Sequence, residues 1–181
     1  MMDTRLAIMS DIHGEHRMLQ RVLDRCAIYE VERLVLLGDL FDRLDQVELC
    51  ARHLSRWPIV GVLGNHDRDA LLLNGSGGSQ KDSFTAQMVK TFRDELKLGD
   101  ALFVHDELAW TEIRAREDTR VVFAGHTHFR QAKDERGPLD LSLGRIQLRR
   151  DRRYLINPGA VVDGQFAIWD RYESKVLFER V

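Results

Sequence analysis

Residues 6–13 read Leu6-Ala7-Ile8-Met9-Ser10-Asp11-Ile12-His13. Four apolar residues in succession end abruptly in groups that hydrogen-bond and bind metals. The chain repeats this device twice: Leu34-Val35-Leu36-Leu37 closes on Gly38-Asp39, and Ile59-Val60-Gly61-Val62-Leu63 closes on Gly64-Asn65-His66-Asp67. Between the runs the apolar residues change period. Met18, Leu19, Val22, Leu23, Cys26 and Ala27 predict an amphipathic helix over 15–29, and Val47, Leu49, Cys50, Leu54 and Trp57 predict a second, ended by Pro58. Continuous apolar runs separated by helices indicate parallel strands buried on both faces, an α/β arrangement. In such sheets the chemistry gathers at the carboxyl ends of the strands.

Beyond this point Asn74-Gly75-Ser76-Gly77-Gly78-Ser79 reads as a loop, either a surface connection or a mobile rim over a site. Phe84, Met88, Val89, Phe92 and Leu96 predict a helix over 83–98. Ala101-Leu102-Phe103-Val104 precedes His105, and Val121-Val122-Phe123-Ala124 precedes Gly125-His126-Thr127-His128. Alternating segments at 139–148 and 154–156, with a terminal hairpin over 165–170 and 175–180, read as strands. This β-rich last third is expected to supply a second sheet packed on the first. Nothing reads as a linker or repeat, so a single domain over 1–181 is expected.

Composition narrows the function classes. The 181 residues carry 27 basic and 29 acidic side chains, a formal charge of −2, with 44% hydrophobic residues. That balance excludes disordered, collagen-like and membrane-spanning classes, and argues against a protein built to coat nucleic acid. The two cysteines, Cys26 and Cys50, fall on helical stretches without CxxC spacing, which fits a reduced, cytoplasmic chain. The start lacks the basic–apolar–small order of a signal peptide. Oligomeric state is not legible. Arg145, Arg149, Arg150, Arg152 and Arg153 crowd nine positions. They read as a charged sheet edge that blocks strand pairing, or as a rim attracting a nucleotide or oligonucleotide.

The histidines carry the function. Five of seven (His13, His66, His105, His126 and His128) follow an apolar strand-like run, accompanied by Asp11, Asp39 and Asn65. His16 and His53 fall on helices and read as solvated positions. Asp11 and His13, two apart at a strand end, can turn to one point, and a carboxylate such as Asp39 has two oxygens with which to bridge two ions. Asn65, His105, His126 and His128 add neutral oxygen and nitrogen donors. Imidazole with carboxylate suits Mn, Fe, Ni, Co or Zn better than Ca or Mg. Two dications roughly 3.5–4 Å apart clamp the oxygens of a phosphoryl transfer and generate hydroxide at neutral pH. They would also reverse the sign of the net charge at one end of the sheet.

The ordered set Asp11-x-His13, Gly38-Asp39-x-x-Asp42-Arg43, Gly64-Asn65-His66-Asp67, His105 and Gly125-His126-Thr127-His128 resembles the calcineurin-like metallophosphoesterases. Asn157-Pro158-Gly159-Ala160 resembles an Asn-Pro-Gly-Ser element of small bacterial and archaeal members, with Ala160 in place of Ser. Asp67, where Glu would be the alternative, and the short chain place the resemblance nearer the small phosphodiesterases than the Ser/Thr protein phosphatases. The resemblance implies a four-layer α/β/β/α sandwich, two packed sheets flanked by helices. It implies that Asp11, His13 and His128 hold one metal, that Asn65, His105 and His126 hold a second, and that Asp39 bridges them, with manganese expected. A metal-bridging hydroxide would attack phosphorus in a small-molecule or nucleotide phosphoester. His66 would stabilise the transition state or protonate the leaving oxygen, and Asp42 would orient it. Arg43 would contact a phosphate oxygen. The alternatives are a helix N-cap for Asp42 and a surface ion pair for Arg43. Asp106 departs from the Gly of many relatives and stands where it would crowd the second metal, brace it or point away. Phosphodiesters are the expected substrates, with monoesters second and a non-catalytic scaffold of this fold third.

Overall fold

The computed structural model describes residues 4–42, 44–74 and 90–181. In chain order the first strands and helices are β1 (Arg5–Met9), α1 (His16–Ile28), β2 (Arg33–Leu36), α2 (Leu44–Leu54), β3 (Ile59–Gly61) and α3 (Asn65–Asn74). They are followed by β4 (Glu95–Leu98), β5 (Ala101–Val104), α4 (Trp110–Ala115), β6 (Val121–Phe123), β7 (Gln131–Asp134) and β8 (Gly137–Pro138). The last are β9 (Arg145–Gln147), β10 (Tyr154–Asn157), β11 (Gln165–Asp170) and β12 (Lys175–Arg180).

The strands form two six-stranded mixed sheets, ordered β3-β2-β1-β11-β12-β9 and β4-β5-β6-β10-β7-β8. The predicted parallel arrangement holds for β1, β2 and β3 and again for β5, β6 and β10. The terminal hairpin of β11 and β12 is present, but it enters the first sheet, with β11 antiparallel to β1 and Ala7 opposite Ile168. The second sheet is therefore not the last third of the chain; it runs from β4 to β8 and takes in β10. Side-chain alternation explains this membership. In β11, Phe166 and Ile168 face the helices on one side while Ala167 and Trp169 face the other sheet, so the strand needs cover on both faces and β1 offers it.

Three apolar clusters define four layers. Ala7, Met9, Leu34 and Leu36 of the first sheet pack against Leu19, Val22, Leu23 and Cys26 of α1 and Cys50 and Leu54 of α2. The alternate residues of the same strands, Leu6, Ile8 and Val35, meet Ala101, Phe103, Val121, Phe123 and Ile156 of the second sheet. Phe103 and Phe123 stack there at 5.3 Å, with Trp169 against Phe123. Leu102, Val122 and Leu155 cover the outer face with Ile113 of α4.

The helix expected over 83–98 is corrected at its end: Glu95–Leu98 is a strand, paired antiparallel with β5 through the Gly99-Asp100 turn. Leu96 and Leu98 turn inward while Glu95 and Lys97 alternate outward, a period of two that outweighs the helical spacing of Phe92 and Leu96. Positions 83–89 and the glycine-rich stretch 75–79 lie outside the described residues. Two short helices that periodicity did not reveal, α3 and α4, begin beside the strand ends.

The loops after the strands are braced from beneath. The Asp67 side chain, fully buried, accepts the Leu40 N–H on one oxygen and the Gly64 N–H on the other, each at 2.9 Å. It thereby ties the loop after β2 to the loop after β3. Its burial pushes the carboxyl above the usual range, against the pull of those two amides. Gly38, at φ +95°, sits so close to Gly64 that a Cβ would lie 2.5 Å from its nitrogen, and a Cβ on Gly64 would lie 2.0 Å from an Asp39 oxygen. Across the sandwich, Asn157 donates to the Gly125 carbonyl at 2.7 Å and to Thr127 Oγ1 at 3.0 Å, and accepts the Gly159 N–H. Asp67→Ala orphans two buried amides at once and is expected to cost about 3 kcal/mol. Urea unfolding of the variant measures it; a loss below 0.5 kcal/mol, within the spread of ordinary surface substitutions, would contradict the brace.

Candidate metal centre

Nearly all the predicted ligands leave regular structure as soon as their strands end. Asp11, His13, Asp39, His126 and His128 each have positive φ, between 46° and 65°. Asp and His are among the few side chains that tolerate the left-handed region, at a cost of order 1–3 kcal/mol each. Loop amides hold the turns in place: Ile12 N–H and His13 N–H both donate to the Asp39 carbonyl, and Gly125 N–H donates to that of His105. The carboxylates take part too, for the His126 N–H donates to Asp11 Oδ2 and the His66 N–H to Asp39 Oδ1.

The side chains then converge in two groups. In the first, Asp11 Oδ1 is 3.3 Å from His128 Nε2 and 3.9 Å from His13 Nε2, and the two imidazole nitrogens are 3.2 Å apart. In the second, His105 Nε2 is 3.0 Å from Asn65 Oδ1, 3.3 Å from Asp39 Oδ2 and 3.2 Å from His126 Nδ1. Metal-capable atoms of Asp11, His13 and His128, and of Asp39, His105 and His126, lie mutually within 4.8 Å; so do those of His13, Asp42 and His66.

These residues fit divalent metals, because lone pairs face lone pairs. The His105 Nδ1–H donates to the Leu37 carbonyl at 2.8 Å, which leaves Nε2 bare in the neutral ring, directed at two oxygens and another imidazole nitrogen. The His13 Nδ1–H similarly donates to Asp42 Oδ1 at 2.6 Å, leaving its Nε2 toward Asp11 and His128. Asp11 Oδ1 is buried with no hydrogen-bond partner. Acceptors arranged this way need a proton or a cation between them, and a dication satisfies each set at once. The crowding also shifts the titrations of these groups. Burial pushes the Asp11 carboxyl up, with His128 and His105 opposing. Burial also pushes Asp39 upward, but the hydrogen bond and charge of His105 outweigh it and leave Asp39 below the usual range. Burial lowers His105, and the hydrogen bond and charge of Asp39 more than offset it.

Asp42 lies at the edge of this centre. Its Oδ1 reaches His66 Nδ1 at 2.8 Å as well as His13. Arg43 lies outside the described residues. Asp106 stands mostly exposed, its Oδ1 3.9 Å from His126 Nδ1. His16 and His53, on α1 and α2, are half-buried and away from the ligands.

The arginine cluster is not a rim of the centre. Arg152 and Arg153 precede β10, whereas Asn157 at its far end holds the His126 loop, so a strand length of about 13 Å intervenes. Arg152 pairs with the buried Asp134 at 2.8 Å, Arg149 with Asp151 at 3.0 Å, and Arg153 donates to the Ile113 and Glu117 carbonyls near the end of α4. Sequence reasoning gave no bracing role to Asp67 or Asn157, although both lie in the quoted motifs. Asn157 had a signal in the Asn-Pro-Gly turn after a buried strand, and Asp67 had only its place two residues after Asn65.

The family model described as "Calcineurin-like phosphoesterase superfamily domain" matches residues 4–169. An uncharacterised protein of Methanocaldococcus jannaschii, MJ0912, is 26% identical over a 215-residue alignment that covers all of this chain and 88% of that one. Among solved structures, a metallophosphoesterase from Sphaerobacter thermophilus superposes with a TM-score of 0.74 at 22% identity, covering 99% of this chain and 89% of that one. A structure described as a novel archaeal phosphodiesterase gives a TM-score of 0.66 at 18% identity over 98% and 99% of the two chains. The match of the family model across nearly the whole chain, over a fold and a ligand arrangement of this kind, shows that the chain belongs to the calcineurin-like phosphoesterase superfamily, whose members are phosphoester hydrolases.

Proposed function

We propose that this chain is a metal-dependent phosphodiesterase with a dinuclear centre. The observation that carries the reading is the pair of facing lone-pair clusters, one around Asp11 and one around His105, at the same end of the sandwich. Asp11, His13 and His128 would hold one ion, and Asn65, His105 and His126 the other. Asp39 would bridge them from the second cluster, with its Oδ1 steadied by the His66 amide. Manganese is the metal we expect, with Fe, Ni, Co or Zn as alternatives on the same donor set. When bound, the two ions neutralise phosphate charge and provide a nucleophile at neutral pH.

The chain's own groups do the rest. His66 gives a proton from Nε2 to the leaving oxygen, while Asp42 holds its Nδ1 at 2.8 Å and orients the ring. Arg43 contacts a phosphate oxygen with its planar fork. Asn65 contributes an oxygen to the metal and an amide to the substrate. Phosphodiesters are favoured over monoesters by the likeness of the motif set to the small phosphodiesterases, and the structure titled an archaeal phosphodiesterase supports that choice. A scaffold without activity is disfavoured, because every ligand position and His66 are filled. Residues 1–181 form one domain on this reading, supported by the apolar layer shared between the two sheets. Two buried free cysteines are in keeping with a reducing cytoplasm. Among the described residues no helix is long and apolar enough to cross a membrane.

Protein loaded with Mn is expected to cleave bis(p-nitrophenyl) phosphate faster than p-nitrophenyl phosphate; rapid cleavage of the monoester with poor cleavage of the diester would overturn the preference. Exhaustive chelation should abolish turnover and added Mn should restore it, and turnover in the stripped protein would contradict metal dependence. His66→Ala should lower kcat by about 10²–10⁴-fold with the circular-dichroism spectrum unchanged, since its side chain is half exposed. Undiminished kcat in that variant would refute the role given to His66.

A further inference from the structure

The walls of the metal centre differ in exposure. Asp11, Asp39 and His105 form a buried floor, whereas the side chains of His66, His126 and His128 are 46%, 48% and 38% exposed. Water, and therefore substrate, reaches the floor from the side of these three imidazoles. Phe129 follows His128 directly, its Cα about 3.8 Å further along the chain, and is 76% exposed.

The ring stands on braced backbone. The Phe129 N–H donates to Thr127 Oγ1 at 3.4 Å, and the same hydroxyl accepts from Asn157. On the other side Arg130 lies over the Phe178 ring and donates to the Glu179 carbonyl. The backbone at Phe129 and the side chain of Arg130 are thus tied down, and yet the Phe129 ring contributes almost nothing to the core. Among the described residues Tyr172 is the only other aromatic exposed to this degree, and it lies on the turn between β11 and β12.

We propose that Phe129 is a specificity residue whose ring stacks on a planar aromatic group, an aryl ring or a nucleobase, carried by a phosphoester at this centre. A phosphate held at the His128 side would carry its ester substituent outward through the exposed mouth, which Phe129 borders as the next residue of the chain. A rigid ring presented there meets a flat π-face with little ordering cost, and such stacking tolerates any base because every base has one. The inference rests on the phosphodiesterase reading for the nature of the bound group, but its test does not require turnover.

Equilibrium binding of phenylphosphonate and methylphosphonate to Mn-loaded protein separates the two. The unsubstituted chain should bind the phenyl compound more tightly. Phe129→Ala should weaken phenylphosphonate by about tenfold and methylphosphonate by less than twofold, and Phe129→Tyr should retain the phenyl preference. Tyr172→Ala, an equally exposed aromatic away from the centre, should leave both affinities unchanged. Equal binding of the two ligands by the unsubstituted protein, or a parallel loss of both in Phe129→Ala, would overturn the proposal. Selective binding of the phenyl compound by a protein that hydrolyses no ester would uphold Phe129 and refute the hydrolase mechanism instead.

Discussion

Lone pairs crowded against one another at the strand ends govern this structure. Asp11 is fully buried and its Oδ1 has no partner, His13 turns a bare nitrogen toward it with His128 Nε2 at 3.3 Å, and His105 turns one toward Asp39, Asn65 and His126. A protein interior does not hold such a set for packing, because every acceptor in it needs positive charge to offset the others. Protons can supply part of that charge, and without metal the hydrogen bond and charge of Asp39 displace His105 upward against the effect of its burial. Divalent ions would supply it in one place, in a chain that belongs to the calcineurin-like phosphoesterase superfamily. Much of the surrounding scaffold can be understood as the means of keeping these groups facing one another.

Five of the candidate ligands sit in left-handed backbone, a conformation that a relaxed chain would abandon. The fold retains it by over-determining the loops. Asp67 joins two of them from below, Asn157 fastens a third, and the close approach of Gly38 to Gly64 leaves no slack between the first and second strand ends. These braces act on the backbone of the loops. Their work is geometric, and it explains why buried polar residues persist beneath the centre where apolar ones would pack more simply.

The sequence disclosed the centre better than the fold around it. Asp11, His13, Asp39, Asn65, His105, His126 and His128 were legible because each follows an apolar run that can only be a buried strand, and the geometry brings all seven to one end. The four-layer form followed from family resemblance, while the strand pattern by itself misassigned the last third. β11 reads the same whichever sheet it joins, since its two faces are both apolar, and only tertiary pairing with β1 decides. The 95–98 segment was ambiguous for another reason: Phe92 and Leu96 fit a helical period, but Leu96 and Leu98 fit a strand, and the neighbouring β5 settles it. The arginine cluster left two readings open, because linear proximity conceals that Arg152 and Arg153 are held by Asp134 and by backbone carbonyls near α4. Phe129 carried no sequence signal at all; an exposed aromatic is recognisable only once its surroundings are known.

The central claim is that the two facing clusters are two metal sites. Metal content of protein equilibrated with Mn and freed of excess ion, measured by inductively coupled plasma mass spectrometry against protein concentration, addresses it without reference to any substrate. The account predicts two ions per chain. A stoichiometry of one or none, with the protein folded, would contradict it.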